Sequence, residues 1–323
     1  MPRADLLLAL VRAGSRSDSV TFRRSLEAII AEERGKQHHV LADRLAEYLN
    51  GTGKDLVQQH PPAAALGLGR LILELAPQRR LQDLILRPAT REEIDEVIEE
   101  QARQSLLRAH GLEPRHKLLL TGPPGNGKTS VAEGIAEALA LPFLVVRYEG
   151  VIGSFLGETA SRLREVFDHV RTRECVLFLD EFDTLGKERG DPHDTGEVKR
   201  VVSSLLLQID DLPSYVIVVT ATNHPELLDR AVWRRFDLQL ELPSPGPPEL
   251  SRWLDQFEEL LEQSLGPLRN DLATLLAGRS FSELELFGLD VMRRKVLSEP
   301  EPDLSHLVKR RAARLTPRST TLQ

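Results

Sequence analysis

Residues Leu118 to Thr129 read LLLTGPPGNGKT, an apolar run that feeds straight into a glycine-rich loop ending in Lys-Thr. Gly122, Gly127, Lys128 and Thr129 fill the fixed places of G-x-x-x-x-G-K-[ST]. In such a loop, consecutive backbone N–H groups curl round phosphate oxygens while the lysine reaches the β- and γ-phosphates. The threonine offers its hydroxyl to Mg²⁺, and the helix opening there points the positive end of its dipole at the anion. This loop needs a strand before it and a helix after it. Lys117–Leu120 is apolar enough for the first, and Thr129–Leu139 has the apolar period of the second. The fold is therefore narrowed to α/β with a phosphate loop, and nucleoside triphosphate binding is implied. The residues expected to cradle it are Gly122, Pro123, Pro124, Gly125, Asn126, Gly127, Lys128, Thr129 and Ser130.

The rest of the chain sorts around that unit. Residues 1–50 carry three apolar stripes at helical spacing: Leu6, Leu7, Leu10 and Val11; Phe22, Leu26, Ile29 and Ile30; Leu41, Leu45, Tyr48 and Leu49. A Gly, Pro, Ala and Gln-rich stretch from Asn50 to Gly69 reads as a linker. A short helix is expected at Arg70–Ala76, and Thr90-Arg91-Glu92-Glu93 reads as a capping box opening a charged helix that stops at Gly111. Strands are expected at Lys117–Leu120, Phe143–Arg147, Cys175–Leu179, Tyr215–Thr220 and Leu238–Leu242. Their Val and Leu runs lack polar alternation, as in parallel sheets covered on both faces. After the prolines at 243, 245, 247 and 248, helices are expected at Glu249–Glu262, Asp271–Ala277 and Ser282–Leu297. Ser282-Glu283-Leu284-Glu285 reads as the cap of the last.

Composition excludes several classes. The chain has 323 residues, 41% hydrophobic and 28% charged, and a net charge of −7. That is globular composition, without an overall basic footprint for nucleic acid. Lys309, Arg310, Arg311, Arg314 and Arg318 make a basic tail, read as a solvated or frayed end. One cysteine, Cys175, excludes an intramolecular disulfide framework and suits a reducing compartment; it is expected to pack as a small hydrophobe. The run Leu6–Val11 is too short to span a bilayer and lacks a cleavage site, so a soluble, cytoplasmic protein is expected. The nine histidines show no metal-site spacing.

A second set of residues bears on whether the triphosphate is hydrolysed. Cys175-Val176-Leu177-Phe178-Leu179-Asp180-Glu181 is an apolar strand with two carboxylates at its C-terminal end, where open α/β sheets gather ligands. Asp180 is expected to orient Mg²⁺ or its water shell, and Glu181 to polarise an attacking water. A plain acidic turn is the other reading. Asn223, at the tip of another apolar strand, can position that water or sense the γ-phosphate. Arg234 and Arg235 stand side by side within Leu228–Asp237. Guanidinium groups stabilise a departing γ-phosphoryl and are often donated by a neighbouring subunit.

GPPGNGKT, LFLDEFD, VTATN and LDRAVWRRFD, in that order, resemble the motifs of an AAA-type (AAA+) ATPase over roughly Leu84 to Leu297. The resemblance implies a three-layer αβα core with a parallel five-stranded sheet, a C-terminal helical lid, Mg-ATP as cofactor and a homo-oligomeric ring, usually a hexamer. The expected division is an N-terminal helical domain and linker over 1–76, a nucleotide domain over 77–243, and lid and tail over 244–323. Phe155-Leu156-Gly157 resembles the aromatic–apolar–Gly triplet with which protein-remodelling members grip an extended polypeptide in the pore. Packing of Phe155 onto the following helix is the alternative. Gly186–Gly196 is either a second pore loop or a plain solvent loop.

Departures from the family pattern matter. Arg234 and Arg235 are adjacent, which leaves open the one that reaches the neighbour. Gly278-Arg279-Ser280-Phe281 replaces a small residue and Asp, so a lid arginine acting in cis is not assured; Arg293 and Arg294 are weaker candidates. Leu84–Leu86 and Gly111 resemble the segment that borders adenine. Without H-E-x-x-H or G-x-S-x-G, the chain is expected to remodel or unfold a protein client, or deliver it to a separately encoded protease. The other readings are an ATP-gated scaffold or sensor, and a DNA-acting loader.

Overall fold

Apolar runs with no polar alternation suit strands buried on both faces, and four of them align in one sheet. The fifth expected strand, observed as Leu238–Glu241, joins at the edge and alternates Leu with exposed Gln239 and Glu241. The structure, a computed structural model, describes residues 25–31, 68–147, 151, 156–182, 195–298 and 304–313. The strands are β1 (Ile72–Leu75), β2 (Lys117–Thr121), β3 (Phe143–Val146), β4 (Cys175–Leu179), β5 (Val216–Thr222) and β6 (Leu238–Glu241). They lie in the order β1-β3-β4-β5-β2-β6. All neighbours run parallel except β1, which pairs antiparallel with β3. Every residue of the central β4 and β5 is buried.

Alternate residues of these strands feed two cores. Leu119, Leu177 and Val218 meet Val166, Phe167 and Ile209 on one face, supplied by α4 (Leu156–Val170) and α5 (Thr195–Asp210). Leu118, Leu120, Phe178 and Val219 meet Ile94, Val97, Val131 and Ile135 on the other, from α1 (Pro88–Ala102) and α3 (Lys128–Ala138). A fully buried Leu, Val or Phe side chain stabilises by roughly 1.5–3 kcal/mol, so this pairing of faces dictates the αβα layering. α2 (Gln104–Ala109) follows α1 after a break at Arg103, and Gly111 ends it with φ +72.

The sheet has a sixth strand where a short helix was expected at Arg70–Ala76. Four residues of Ile-Leu-Glu-Leu cannot distinguish period 2 from period 3.6. Edge pairing decides: Arg147 N–H donates to Leu71 O at 2.8 Å, and Glu74 forms an ion pair at 3.1 Å with Arg173, whose side chain is 8% exposed. α1 begins at Pro88, with Arg87 as an extended N-cap, and Thr90 is buried within the first turn. Proline forces its predecessor out of the helical region and is itself suited to the first helical position. That local rule overrides the expected cap at Thr90.

After β6 and α6 (Arg230–Trp233), which precedes it, come α7 (Pro247–Leu261), α8 (Leu268–Leu276), α9 (Phe281–Leu297) and α10 (Leu304–Ala312). Their own core joins Leu254, Phe257, Leu272, Leu284, Phe287 and Val308, with Trp253 stacked on Phe257 at 5.0 Å. The cap of α9 is Ser280, not Ser282: its hydroxyl accepts Glu283 N–H at 3.4 Å, while Glu283 Oε2 accepts Ser280 N–H at 2.8 Å. The basic tail begins as a packed helix rather than a frayed end. Val308 is 1% exposed, and Arg311 pairs with Asp290 at 3.0 Å.

Contacts divide the chain into Met1–Pro62 and Ala63–Gln323. In the first part, residues 25–31 form a helix that buries Leu26, Ile29 and Ile30, as the second stripe implies. Phe22, the other two stripes and the linker at 50–67 lie outside the described residues. Among the described residues, no helix is long and apolar enough to cross a membrane.

Candidate nucleotide site

The loop after β2 folds tightly against the chain that follows β6. Gly122 has φ +136, and a Cβ there would lie 2.2 Å from Leu242 O, so no side chain fits. Gly125 (φ +76) and Gly127 (φ +83) take the left-handed backbone that turns successive N–H groups inward, and Gly127 caps α3. Lys128 is buried at 7% exposure, with Nζ donating to Gly122 O at 2.7 Å and Pro123 O at 3.0 Å. Pro123 and Pro124 are exposed, and Ser130 is half-buried.

Two strand tips flank this loop. Thr129 Oγ1 donates to Asp180 Oδ2 at 3.5 Å, joining the start of α3 to the end of β4. Asp180 Oδ1 accepts Glu181 N–H at 2.8 Å. Glu181 is exposed and has φ +47, a strained backbone for a non-glycine residue. Asn223 follows β5 directly, and its buried Oδ1 has no hydrogen-bond partner among the described residues. A buried carbonyl oxygen left unpaired at a strand tip suits a position meant for water or ligand.

Beside the loop lies a cavity of about 320 Å³ between the sheet unit and the C-terminal helices. Leu84–Leu86, Gly125–Gly127, Ser130 and Val131 form one wall; Trp253, Phe257, Leu260, Phe281 and Leu289 form the other. Leu84–Leu86 thus stands where expected, while Gly111 is not among the wall residues. Polar groups that no nucleotide motif marks also line it: Arg79, Asp83, Gln256, and Glu285, which was expected only as part of a helix cap. Arg79 and Glu285 pair across the mouth at 3.1 Å, and Arg252 Nη1 donates to Leu86 O at 3.0 Å. These partners are far apart in sequence, and no local pattern announces them.

Arg234 is exposed; Arg235 is half-buried and forms a close ion pair with Asp210 at the end of α5. Neither borders the cavity. Their segment is anchored by Asp237, whose carboxylate accepts His116 N–H and Lys117 N–H, each at 3.0 Å. Trp233 is partly buried against the core, and its carbonyl accepts Gln239 Nε2 at 2.7 Å. Arg279 is 7% exposed and pairs with Glu283 at 3.3 Å. Leu156 and Gly157 open α4; Phe155 and most of Gly186–Gly196 lie outside the described residues. Cys175 is wholly buried, and burial pushes its thiol up to about 12, which leaves it inert at neutral pH. No group of three or more His, Cys, Asp or Glu is placed to hold a metal among the described residues.

The family model for the ATPase family associated with various cellular activities (AAA) matches residues 118–244. An uncharacterized AAA family ATPase of Sinorhizobium fredii, y4kL, is 35% identical over 98% of this chain and 99% of its own length. ATP-dependent zinc metalloprotease FtsH 1 of Methylacidiphilum infernorum is 33% identical over 65% of this chain, but only 37% of the metalloprotease is matched. A putative 26S proteasome regulatory subunit homolog of Methanothermobacter marburgensis is 30% identical over 58% of this chain and 51% of its own length. With the glycine-bound loop, the paired strand tips and a relative matched from end to end, this chain belongs to the AAA family of ATPases.

Proposed function

We propose that the chain works as an ATP-driven motor that remodels, unfolds or threads a protein client as a homo-oligomeric ring, usually of six subunits in this family. The observation that carries the nucleotide chemistry is the contact between Thr129 Oγ1 and Asp180 Oδ2, which brings the loop and acidic-strand motifs together at the sheet's C-terminal edge. The relatives named for proteolysis and for the proteasome carry the client reading.

The residues fit Mg-ATP. The loop amides and Lys128 would hold the phosphates, Ser130 and the apolar cavity the nucleoside side. Thr129 and Asp180 would hold Mg²⁺, supplying oxygen ligands of the kind this ion takes. When bound, Mg²⁺ neutralises charge on the β- and γ-phosphate oxygens. Glu181 would accept a proton from the attacking water, and Asn223 would orient that water through its unpaired Oδ1. Arg234 and Arg235 would stabilise the γ-phosphoryl of the neighbouring subunit's ATP. Arg235 is tied to Asp210 within its own chain, which favours exposed Arg234 as the residue that reaches out.

The expected boundary at residue 76 would cut β1 from its sheet, so the proposed division is an N-terminal helical domain and linker before β1, a nucleotide domain from β1 through about residue 243, and a lid and tail from 244 onward. The Phe155-Leu156-Gly157 loops would grip client, and a separate protease would receive it. Hydrolysis stimulated by an unfolded polypeptide, but not by DNA, supports this reading. Stimulation by DNA alone would replace it with a loader, and indifference to both with an ATP-gated scaffold.

A further inference from the structure

One side chain of the phosphate loop touches the lid and its hinge together. Asn126 is 4% exposed. Its Nδ2 donates to Ser244 Oγ at 3.2 Å, in the connection between β6 and α7, and its Oδ1 accepts Phe281 N–H at 3.3 Å. The adjacent Ser282 N–H donates to Gly125 O at 2.9 Å. Phe281 and Ser282 are the first two residues of α9, whose leading N–H groups have no partner inside the helix. Ser280 caps the third of them. The phosphate loop therefore completes the capping of a lid helix.

We propose that Asn126 is a positioning residue: it sets how the lid closes over the nucleotide by tying the loop to both hinge and lid. The chemistry selects Asn. The site needs an acceptor for a backbone N–H and a donor for a hydroxyl on one short side chain, which a carboxylamide supplies. Phe281 N–H can only donate, which places Oδ1 against it. Aspartate would accept at both ends but put a negative charge beside bound phosphate. The side-chain ties beside Asn126 are more exposed or longer: Arg79–Glu285 is about half exposed on both sides, the Arg252–Leu86 O bond is exposed, and Arg87–Glu249 spans 4.0 Å. Ordering of the loop by phosphate would thus be passed to the lid through Asn126. The inference rests only on nucleotide binding between loop and lid, not on ring formation or client threading.

Amide hydrogen exchange on the full chain without nucleotide tests it, comparing Asn126→Ala, Asn126→Asp and Ser244→Ala. Asn126→Ala should speed exchange at Phe281–Leu284 about tenfold, the effect of losing a buried bond, and leave β4 and β5 unchanged. KM for ATP should then rise by more than kcat falls. Asn126→Asp should keep part of the protection yet still raise KM, and Ser244→Ala should add nothing to Asn126→Ala in the double variant. Unchanged exchange at 281–284, or equal acceleration through the sheet, would overturn the proposal. Because the exchange is read without ATP or client, that outcome is distinct from failure of the motor reading.

Discussion

Gly122 and Gly127 look alike in the sequence but are held for different reasons. A Cβ at Gly122 would overlap Leu242 O, whereas at Gly127 it would meet nothing within 4 Å. Gly122→Ala should therefore cost more than about 2 kcal/mol and abolish binding of a fluorescent ATP analogue, while Gly127→Ala should cost only about 1–2 kcal/mol of left-handed strain. Chemical denaturation of both variants checks the order. His116 is a second residue with a measurable consequence. Burial lowers its pKa below the ordinary value of 6.5, with Asp237 opposing and Lys117 assisting. The unfolded chain then binds a proton that the folded chain refuses. Stability from this group is present above the ordinary histidine pKa and declines as pH falls below it. His116→Asn should flatten the fall in melting temperature between about pH 7 and about pH 5. The loop was legible in the sequence because its chemistry is written at fixed spacing on one strand–loop–helix unit, and Asp180 because it directly follows the wholly apolar run of β4. The pairing of Arg79 with Glu285 and the partners of Asn126 were not, since 206 positions separate the first pair and 155 separate Asn126 from Phe281.

At the scale of elements, β2 to β5 were readable because burial on both faces leaves a nearly unbroken apolar run, whereas the edge strand β6 alternates Leu with Gln239 and Glu241. β1 was not, since an edge strand of four residues takes its identity from pairing with β3. Helix starts were misplaced where two rules compete. Proline at N1 outranks Thr90 in α1, and the reciprocal bonds of Ser280 and Glu283 outrank Ser282 in α9. Ser280→Ala should destabilise the lid by about 1 kcal/mol, and Ser282→Ala by far less, because only the first hydroxyl caps the helix. Thermal melts of the two variants decide between them. α10 has a comparable test. Ending the chain at residue 303 removes Val308 and the Arg311–Asp290 pair from the lid core. That truncation should lower lid protection in hydrogen exchange and leave the sheet as it is.

For the whole molecule, end-to-end similarity to an AAA family ATPase and partial similarity to much longer proteases make this a nucleotide-hydrolysing module with its own N-terminal part. A substrate was not legible in the fold, because the sheet and the C-terminal helices carry the nucleotide site and a fold does not by itself name what is acted on. Phe155→Ala should leave basal ATP hydrolysis intact and remove its stimulation by unfolded polypeptide. In the proposed ring, each hydrolytic site would be completed by an arginine from the next subunit. Mixing two inactive variants, Glu181→Gln and Arg234→Ala/Arg235→Ala, and measuring phosphate release tests it directly. A shared site predicts that the mixture regains activity well above the sum of the two, because some interfaces pair an intact Glu181 with intact arginines. A mixture as inactive as its components, under conditions where the wild-type chain hydrolyses ATP and exchanges subunits, would contradict it.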